Sequence, residues 1–288
     1  MSSGSSCVAT AVAPRAAWSF PCPDRPLGAA CPARCRIPSL GSRHARPLLD
    51  VLYPRRCAAC GSGPWPFCPG CRDLLVPMEP PWCERCGLPA TRSLRRCSDC
   101  PPAAIDLARS AFLFRGPARS AVHRLKFSGW RAVAGALGQA CVAVWSEPAN
   151  VATWVPLSRA RLTARRFDQA RALAEVVAAG LGRPVEGFLV RAQDTAPQAR
   201  RGATDRRTAL AEAFHALRPP GHQRVLLVDD VLTTGATAAA CADALRTAGA
   251  TWVGLLTAAR AGSPRTRGGY TRAGLTPGSV VARGAFPR

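Results

Sequence analysis

From residue 105 onward the chain alternates short apolar runs with amphipathic stretches. Arg109–Phe114 and Val151–Pro156 read as strands, Val185–Val190 as a weaker one, and Arg224–Val228 and Trp252–Ala258 as strong ones. Between them Ala118–Leu125, Ala132–Trp145, Asp168–Leu181 and Ala236–Ala248 carry apolar residues at helical spacing. Strands and helices of these lengths in alternation predict an α/β domain over 105–260, a mostly parallel sheet flanked by helices. Residues 47–104 have little apolar mass and hold four CxxC pairs, which predicts a small Cys-rich module. Residues 1–46 are rich in Pro, Ser, Ala and Arg with no period of 2 or 3.6, and residues 261–288 return to Gly, Arg and Pro. Both read as disordered, a 1–46 extension and a basic 261–288 tail.

Charge sharpens this division. The 288 residues carry 39 Lys+Arg against 17 Asp+Glu, a formal +22, and the two tails supply +10 of it. Lys126 is the only lysine, so the cations are otherwise all arginine. A surface this basic favours polyanions such as nucleotides or nucleic acid. No stretch approaches the ~18 apolar residues of a membrane span. The first residues also lack a basic segment followed by a long apolar one, so the expectation is a cytoplasmic protein with no stable membrane insertion.

The cysteine pairs are Cys57/Cys60, Cys68/Cys71, Cys83/Cys86 and Cys97/Cys100. CAACG at 57–61 and CERCG at 83–87 each precede a plain CxxC, so the module is an internal duplication. A CxxC turn lets two thiolates grip one metal ion, and a following Gly permits the turn that aims N–H groups at sulfur. The duplication favours one zinc on the first four cysteines and one on the last four. The short gaps between pairs leave a cross-paired arrangement open. Disulfides and redox CxxC sites are the competing readings, and a cytosolic chain disfavours them. Closed S₄ sites make the zinc structural.

The segment Val225–Thr237 (VLLVDDVLTTGAT) sends a buried strand into two carboxylates and then into a Thr/Gly turn that opens a helix. At the C-terminal edge of a parallel strand, that geometry makes a ligand crevice. Backbone N–H groups from Thr233 to Thr237 suit a phosphate, and Gly235 lets the backbone come close. Adjacent Asp229 and Asp230 make sense as holders of ribose hydroxyls, with a divalent ion nearby. The plainer alternative, helix capping by Asp230 and the threonines, needs one such residue rather than five polar side chains. GxxxxGK[ST] is absent.

These thirteen residues match the PRPP-binding motif of type I phosphoribosyltransferases, and the wider chain resembles the ComF family, which couples such a domain to an N-terminal double zinc ribbon. The resemblance covers about Leu48 to Arg260, through LLDVLYPRRCAACG at 48–61, AVHRLKFSG at 121–129, VPLSRARLTARRFDQARALA at 155–174, TAPQARR at 195–201 and EAF at 212–214. It implies that Asp229, Asp230, Val231, Leu232, Thr233, Thr234, Gly235, Ala236 and Thr237 form the PRPP site, acids on the ribose and the turn on the 5′-phosphate. It further implies that Pro156, Leu157, Ser158 and Arg159 lie where the family places pyrophosphate, with Mg²⁺ accompanying PRPP. The family's usual Arg-Gly-Phe-Asn-Gln is here Arg165-Arg166-Phe167-Asp168-Gln169.

The Arg-rich stretch 191–207 reads either as a solvated loop or as a lid delivering Arg200 and Arg201 to pyrophosphate. Lys126 reads as a solvated charge or as a phosphate or nucleic-acid contact, and Cys141 and Cys241 as core residues. His123 and His215 have no evident partner, and no residue stands out as a general base. The expectation is a PRPP-binding protein whose enzymatic activity would move phosphoribosyl to an unidentified nitrogen acceptor. The alternative is a non-catalytic protein handling single-stranded DNA alongside competence proteins, gripping it with the ribbons, the basic surface and Trp65 and Trp82.

Overall fold

The computed structural model describes residues 56–192, 213–221 and 223–262. The 1–46 extension, residues 47–55, the lid candidates Arg200 and Arg201 and the tail from 263 lie outside the described residues.

Four strands form one parallel sheet: β1 (Leu107–Leu113), β2 (Val151–Trp154), β5 (Arg224–Leu232) and β6 (Trp252–Arg260), in the order β1-β6-β5-β2. Their buried runs lack the polar alternation of a half-solvated sheet because helices or ribbon cover both faces. On one face pack α2 (Gly116–Phe127), α3 (Ala132–Ala143) and α5 (Gln169–Leu181), against Leu226, Val228 and Leu256. On the other pack α6 (Ala236–Thr247) and a small antiparallel pair, β3 (Leu189–Arg191) and β4 (Phe214–Ala216), against Val225, Leu227 and Leu255.

The expected elements are present, with three corrections. The Val185–Val190 strand is split: Val185 bridges Ala152 in parallel at the β2 edge, and only Leu189–Arg191 forms a strand, paired with β4 rather than with the main sheet. The turn after β2 contains a helix that periodicity did not flag, α4 (Arg159–Arg165), whose residues are all exposed or half-buried. A one-turn α1 (Pro69–Asp73) lies in the first ribbon.

The ribbons continue the core rather than hanging from it. Ala58 and Leu75 of the first pack with α2 and α3, and Cys83, Cys86 and Leu88 of the second pack with α6. The chain joining them runs antiparallel beside β1, where Leu113 N–H donates to Val76 O at 2.8 Å and Met78 N–H to Ala111 O at 3.1 Å. Arg124 Nε reaches Ala59 O at 3.2 Å. From the second ribbon Arg85 spans the carbonyls of Pro101, Pro102 and Ile105 at 2.7–2.9 Å.

Candidate functional site

The eight cysteines fall into two clusters: Cys57, Cys60, Cys68 and Cys71, and Cys83, Cys86, Cys97 and Cys100, with ligand atoms in each within 4.8 Å of one another. Pairing is therefore between neighbouring CxxC turns, and the cross-paired alternative falls away. Zinc with Zn–S near 2.3 Å at a tetrahedral site sets sulfurs about 3.8 Å apart. The spacings Cys60–Cys68 3.8 Å, Cys83–Cys100 3.6 Å, Cys86–Cys97 3.5 Å and Cys97–Cys100 3.7 Å fit it. Burial works against the thiolate at Cys57 and Cys83. Backbone N–H donors, from Cys60, Cys68 and Ala59 at Cys57 and from Cys86 and Arg85 at Cys83, together with the thiols of Cys60 at the first and of Cys100 and Cys86 at the second, outweigh it and hold these thiols down at about 6 and about 7. Cys71 and Cys97 are pushed up by burial and by neighbouring sulfurs. Four thiols that cannot all ionise side by side need a cation to do so, which is the chemistry of a closed Zn²⁺ site.

The second cluster touches the phosphate-type turn. Arg260, at the end of β6 and in register with Leu232 of β5, donates to Cys86 O at 2.8 Å and Asp99 O at 2.5 Å. Pro101 and Pro102, directly after the last ligand, cover Gly235: a Cβ there would meet Pro101 Cβ at 2.9 Å and Pro102 Cδ at 3.3 Å. Gly235 also sits at φ +78°, so both space and conformation demand glycine.

At the carboxyl end of β5 the chain turns into α6. Gly235 is its N-cap and no side chain caps it, so the first turn is not closed off by the acids or the threonines; Thr234 Oγ1 accepts from Ala236 N–H only at 3.4 Å. A shallow open cleft lies there, lined by Asp229, Leu232, Thr233, Gly235 and Thr237 and by Thr257 of β6. Thr257 and Ser110 share a buried hydroxyl–hydroxyl bond of 2.7 Å. The hydroxyl of Thr153, in β2, is fully buried without a hydrogen-bond partner.

The two acids diverge, as adjacent strand residues must. Asp229 faces the cleft, where burial and then the neighbouring Asp230 push its carboxyl well above the ordinary carboxylate range. Asp230 faces the opposite side of the sheet. There Lys126 Nζ of α2 lies 2.7 Å from Oδ1, and Gln169 Nε2 of α5 donates to Oδ2 at 2.9 Å. Arg165 Nη1 in turn donates to Gln169 Oε1 at 3.1 Å. The lone lysine is thus a partner of the acid pair, a contact between distant segments that no local pattern reveals. Gln169 and Thr257 were missed for the same reason.

The turn at 156–159 leaves β2 beside β5, tied by Val155 N–H to Val228 O at 3.0 Å. It does not line the cleft. Ser158 accepts from Arg161 N–H and caps α4, while Asp168 accepts from Ala170 and Arg171 N–H at 3.1 Å and caps α5. Asp168, where the family's motif has Asn, thus serves as the N-cap acceptor of α5, although burial raises its carboxyl. Arg166, where the family has Gly, is the one non-glycine residue at positive φ among those described, +53°. Cys141 and Cys241 are fully buried, the first pushed up to about 12 by burial alone. Among the described residues no helix is long and apolar enough to cross a membrane.

The chain matches the double zinc ribbon domain over residues 48–101 and the phosphoribosyl transferase domain over 168–270. It is 30% identical to the DNA utilization protein YhgH of Escherichia coli K12 over 217 residues, 69% of this chain and 94% of that protein. It is likewise 30% identical to the Salmonella typhimurium YhgH over 201 residues, 66% and 88%. Among solved structures it is similar to the Bacillus subtilis glutamine PRPP amidotransferase complexed with ADP and GMP, at 24% identity and a TM-score of 0.34, covering 43% of this chain and 26% of that one. A double zinc ribbon built into a phosphoribosyltransferase sheet, with relatives of this kind spanning nearly their whole length, places the chain in the ComF family of YhgH-type DNA utilization proteins.

Proposed function

We propose that the cleft at the end of β5 binds phosphoribosyl pyrophosphate with Mg²⁺. One observation carries this reading: a strand of a parallel sheet delivers Asp229 to the lip of a cleft whose other wall is the uncapped first turn of α6. The N–H groups and hydroxyls of Thr233 to Thr237 face a 5′-phosphate, and Asp229 takes ribose hydroxyls. Asp230, held on the other side of the sheet by Lys126 and Gln169, fixes the end of β5 that presents Asp229, and would reach the ribose itself only if the strand end turned. Mg²⁺ would offset the negative charge of the pyrophosphate. Pro156, Leu157, Ser158 and Arg159 stand beside the cleft for that pyrophosphate, and Arg200 and Arg201 belong to the segment that would close over it. Transfer would then exchange pyrophosphate at C1 of the ribose for a nitrogen acceptor, the enzyme contributing placement and charge stabilisation.

Calorimetric titration of Mg²⁺·PRPP into the zinc-loaded chain, beside an Asp229→Asn/Asp230→Asn double variant, tests this. Saturable binding that the variant loses is expected. A folded wild type that takes up no PRPP would sink the reading.

A second reading is favoured by the relatives named for DNA utilization and by the arginine surface: the chain handles single-stranded DNA, with PRPP binding as a regulatory input. The two readings are compatible. Release of pyrophosphate from PRPP in the presence of a purine, pyrimidine or amine would establish the enzymatic one.

A further inference from the structure

One surface of the molecule gathers cations and rings, with the buried Asp230 on Lys126 and the capping Asp168 at its margin. Residues 123–131 and 159–167 contain seven cations, from Arg124 to Arg166, and no Asp or Glu. The two segments form one face, joined by Arg131 Nη2 donating to Arg166 O at 3.2 Å. Three guanidinium groups lie over rings in it: Arg124 over Trp130 at 4.8 Å, Arg131 over Phe167 at 5.1 Å and Arg165 over Phe127 at 4.9 Å. Of the four large apolar side chains exposed among the described residues, two are here, Phe127 at 61% and Leu162 at 43%.

An exposed aromatic ring in a field of arginines narrows what can cover it. An apolar protein partner would bury several guanidinium groups without counter-charge, a desolvation cost with nothing to offset it. An acidic peptide would meet the arginines and leave the ring unused. Duplex DNA hides its base faces in the stack. A single strand offers phosphates at short intervals and free base faces, and base–aromatic stacking beside arginine is how such strands are held. The rings of the ribbon are less open: Trp82, under Arg109 at 5.1 Å, and Trp65, against the core, are half-buried, whereas Phe127, flanked by Arg165 and by His123 at 4.6 Å, stays mostly exposed.

We propose that single-stranded DNA runs across the face made by residues 123–131 and 159–167, with a base stacked on Phe127 and phosphates on Arg161 and Arg166. This rests on the DNA-handling reading above and assigns it a surface on the transferase domain rather than on the ribbons. The same face holds Lys126 and Arg165, so the strand would pass beside the side chains that fix Asp230.

The test uses the full zinc-loaded chain and a fluorescein-labelled oligothymidylate of about 20 nucleotides, followed by anisotropy at several salt concentrations. Phe127→Ala should weaken binding roughly ten-fold and leave the salt slope unchanged. Arg161→Ala/Arg166→Gly should lower the slope of log K against log salt by about 1.4, at ~0.7 per phosphate contact. Trp65→Ala should change neither. Wild-type binding that both face variants retain, while Trp65→Ala loses it, would move the strand to the ribbon and overturn the assignment. Equal affinity for a matched duplex, or tighter binding of oligouridylate, would overturn single-stranded DNA as the occupant. No binding by the wild type would end the DNA reading itself.

Discussion

Lys126 and Asp230 meet at 2.7 Å, the only lysine of the chain against the second acid of the β5 pair, with the side chains 23% and 5% exposed. A carboxylate buried this far needs its charge matched, and Gln169 supplies only one further donor. Lys126→Met should therefore destabilise the fold by about 3 kcal/mol by leaving Asp230 uncompensated. Adding Asp230→Asn should recover most of the loss. A double-mutant cycle in urea at neutral pH with zinc saturated measures the coupling, and strict additivity would show that the pair is not the source.

Asp229 leads to a pH dependence. Its carboxyl is held well above the ordinary carboxylate range by burial and by Asp230, so the folded state keeps its proton at pH values where the unfolded chain has lost it. Stability must then fall as pH rises from the ordinary carboxylate range through the raised value, and the cost is fully present above it. Asp229→Asn, which can still accept the Asp230 N–H bond now made at 2.8 Å, should raise Tm by a few degrees at pH 8.5 and by less at pH 5.5. A gain that does not vary with pH would refute the assignment. The same variant should lose Mg²⁺·PRPP binding, a stability–function trade at one residue.

Arg166 closes α4 in the left-handed region at φ +53°. A side chain there costs about 1 kcal/mol more than glycine. Arg166→Gly should accordingly stabilise the chain by roughly 0.5–1 kcal/mol, read as a higher urea midpoint at unchanged slope. A lower midpoint would mean that the exposed guanidinium makes up for the strain.

The two metal clusters should have different effects on the cleft. Pro101 and Pro102 lie on Gly235 directly after Cys100, and Arg260 holds two carbonyls of the second cluster, whereas the first packs beside α2. Cys100→Ser should release its metal, speed amide exchange at residues 233–240 and weaken Mg²⁺·PRPP binding at least ten-fold. Cys60→Ser should release the other ion and leave both nearly unchanged. Equal effects would mean general unfolding.

Gly138 of α3 comes so close to α5 that a Cβ would lie 2.6 Å from Val176 Cγ1. Gly138→Ala should cost about 2 kcal/mol, with Val176→Ala restoring part of it in the same denaturation assay.

What the sequence made legible has a physical pattern. The β5–α6 turn was readable because one continuous segment carries the whole chemistry: apolar strand, two acids, hydroxyls, glycine, helix. The cysteine clusters were readable from their spacing, and the duplication chose the pairing that the sulfurs adopt. The α4 helix was not, since RARLTAR has no apolar stripe and its ends are held by Ser158 and by the left-handed Arg166. Nor were Lys126, Gln169 and Thr257, which reach the acids only after the chain has folded. A glycine in the family's motif at the Arg166 position was the available sign of a helix end. The boundary drawn at residue 104 was a change in composition, yet Met78, Leu88 and Ile105 share one cluster with α6. Composition records what a segment is made of, while packing depends on what it lies against.

The stretch from Val76 to Met78 that runs beside β1 has a consequence for assembly. An outermost strand normally offers a row of free N–H and C=O groups on which a second copy can pair. Here Val76 and Met78 occupy positions along that row, and Pro184 to Glu186 do the same beside β2 at the far end of the sheet. Strand-to-strand addition of another molecule is obstructed at both margins. Among the described residues, a partner meeting the four-stranded sheet would therefore contact the helices, turns and ribbons that cover it rather than its edges.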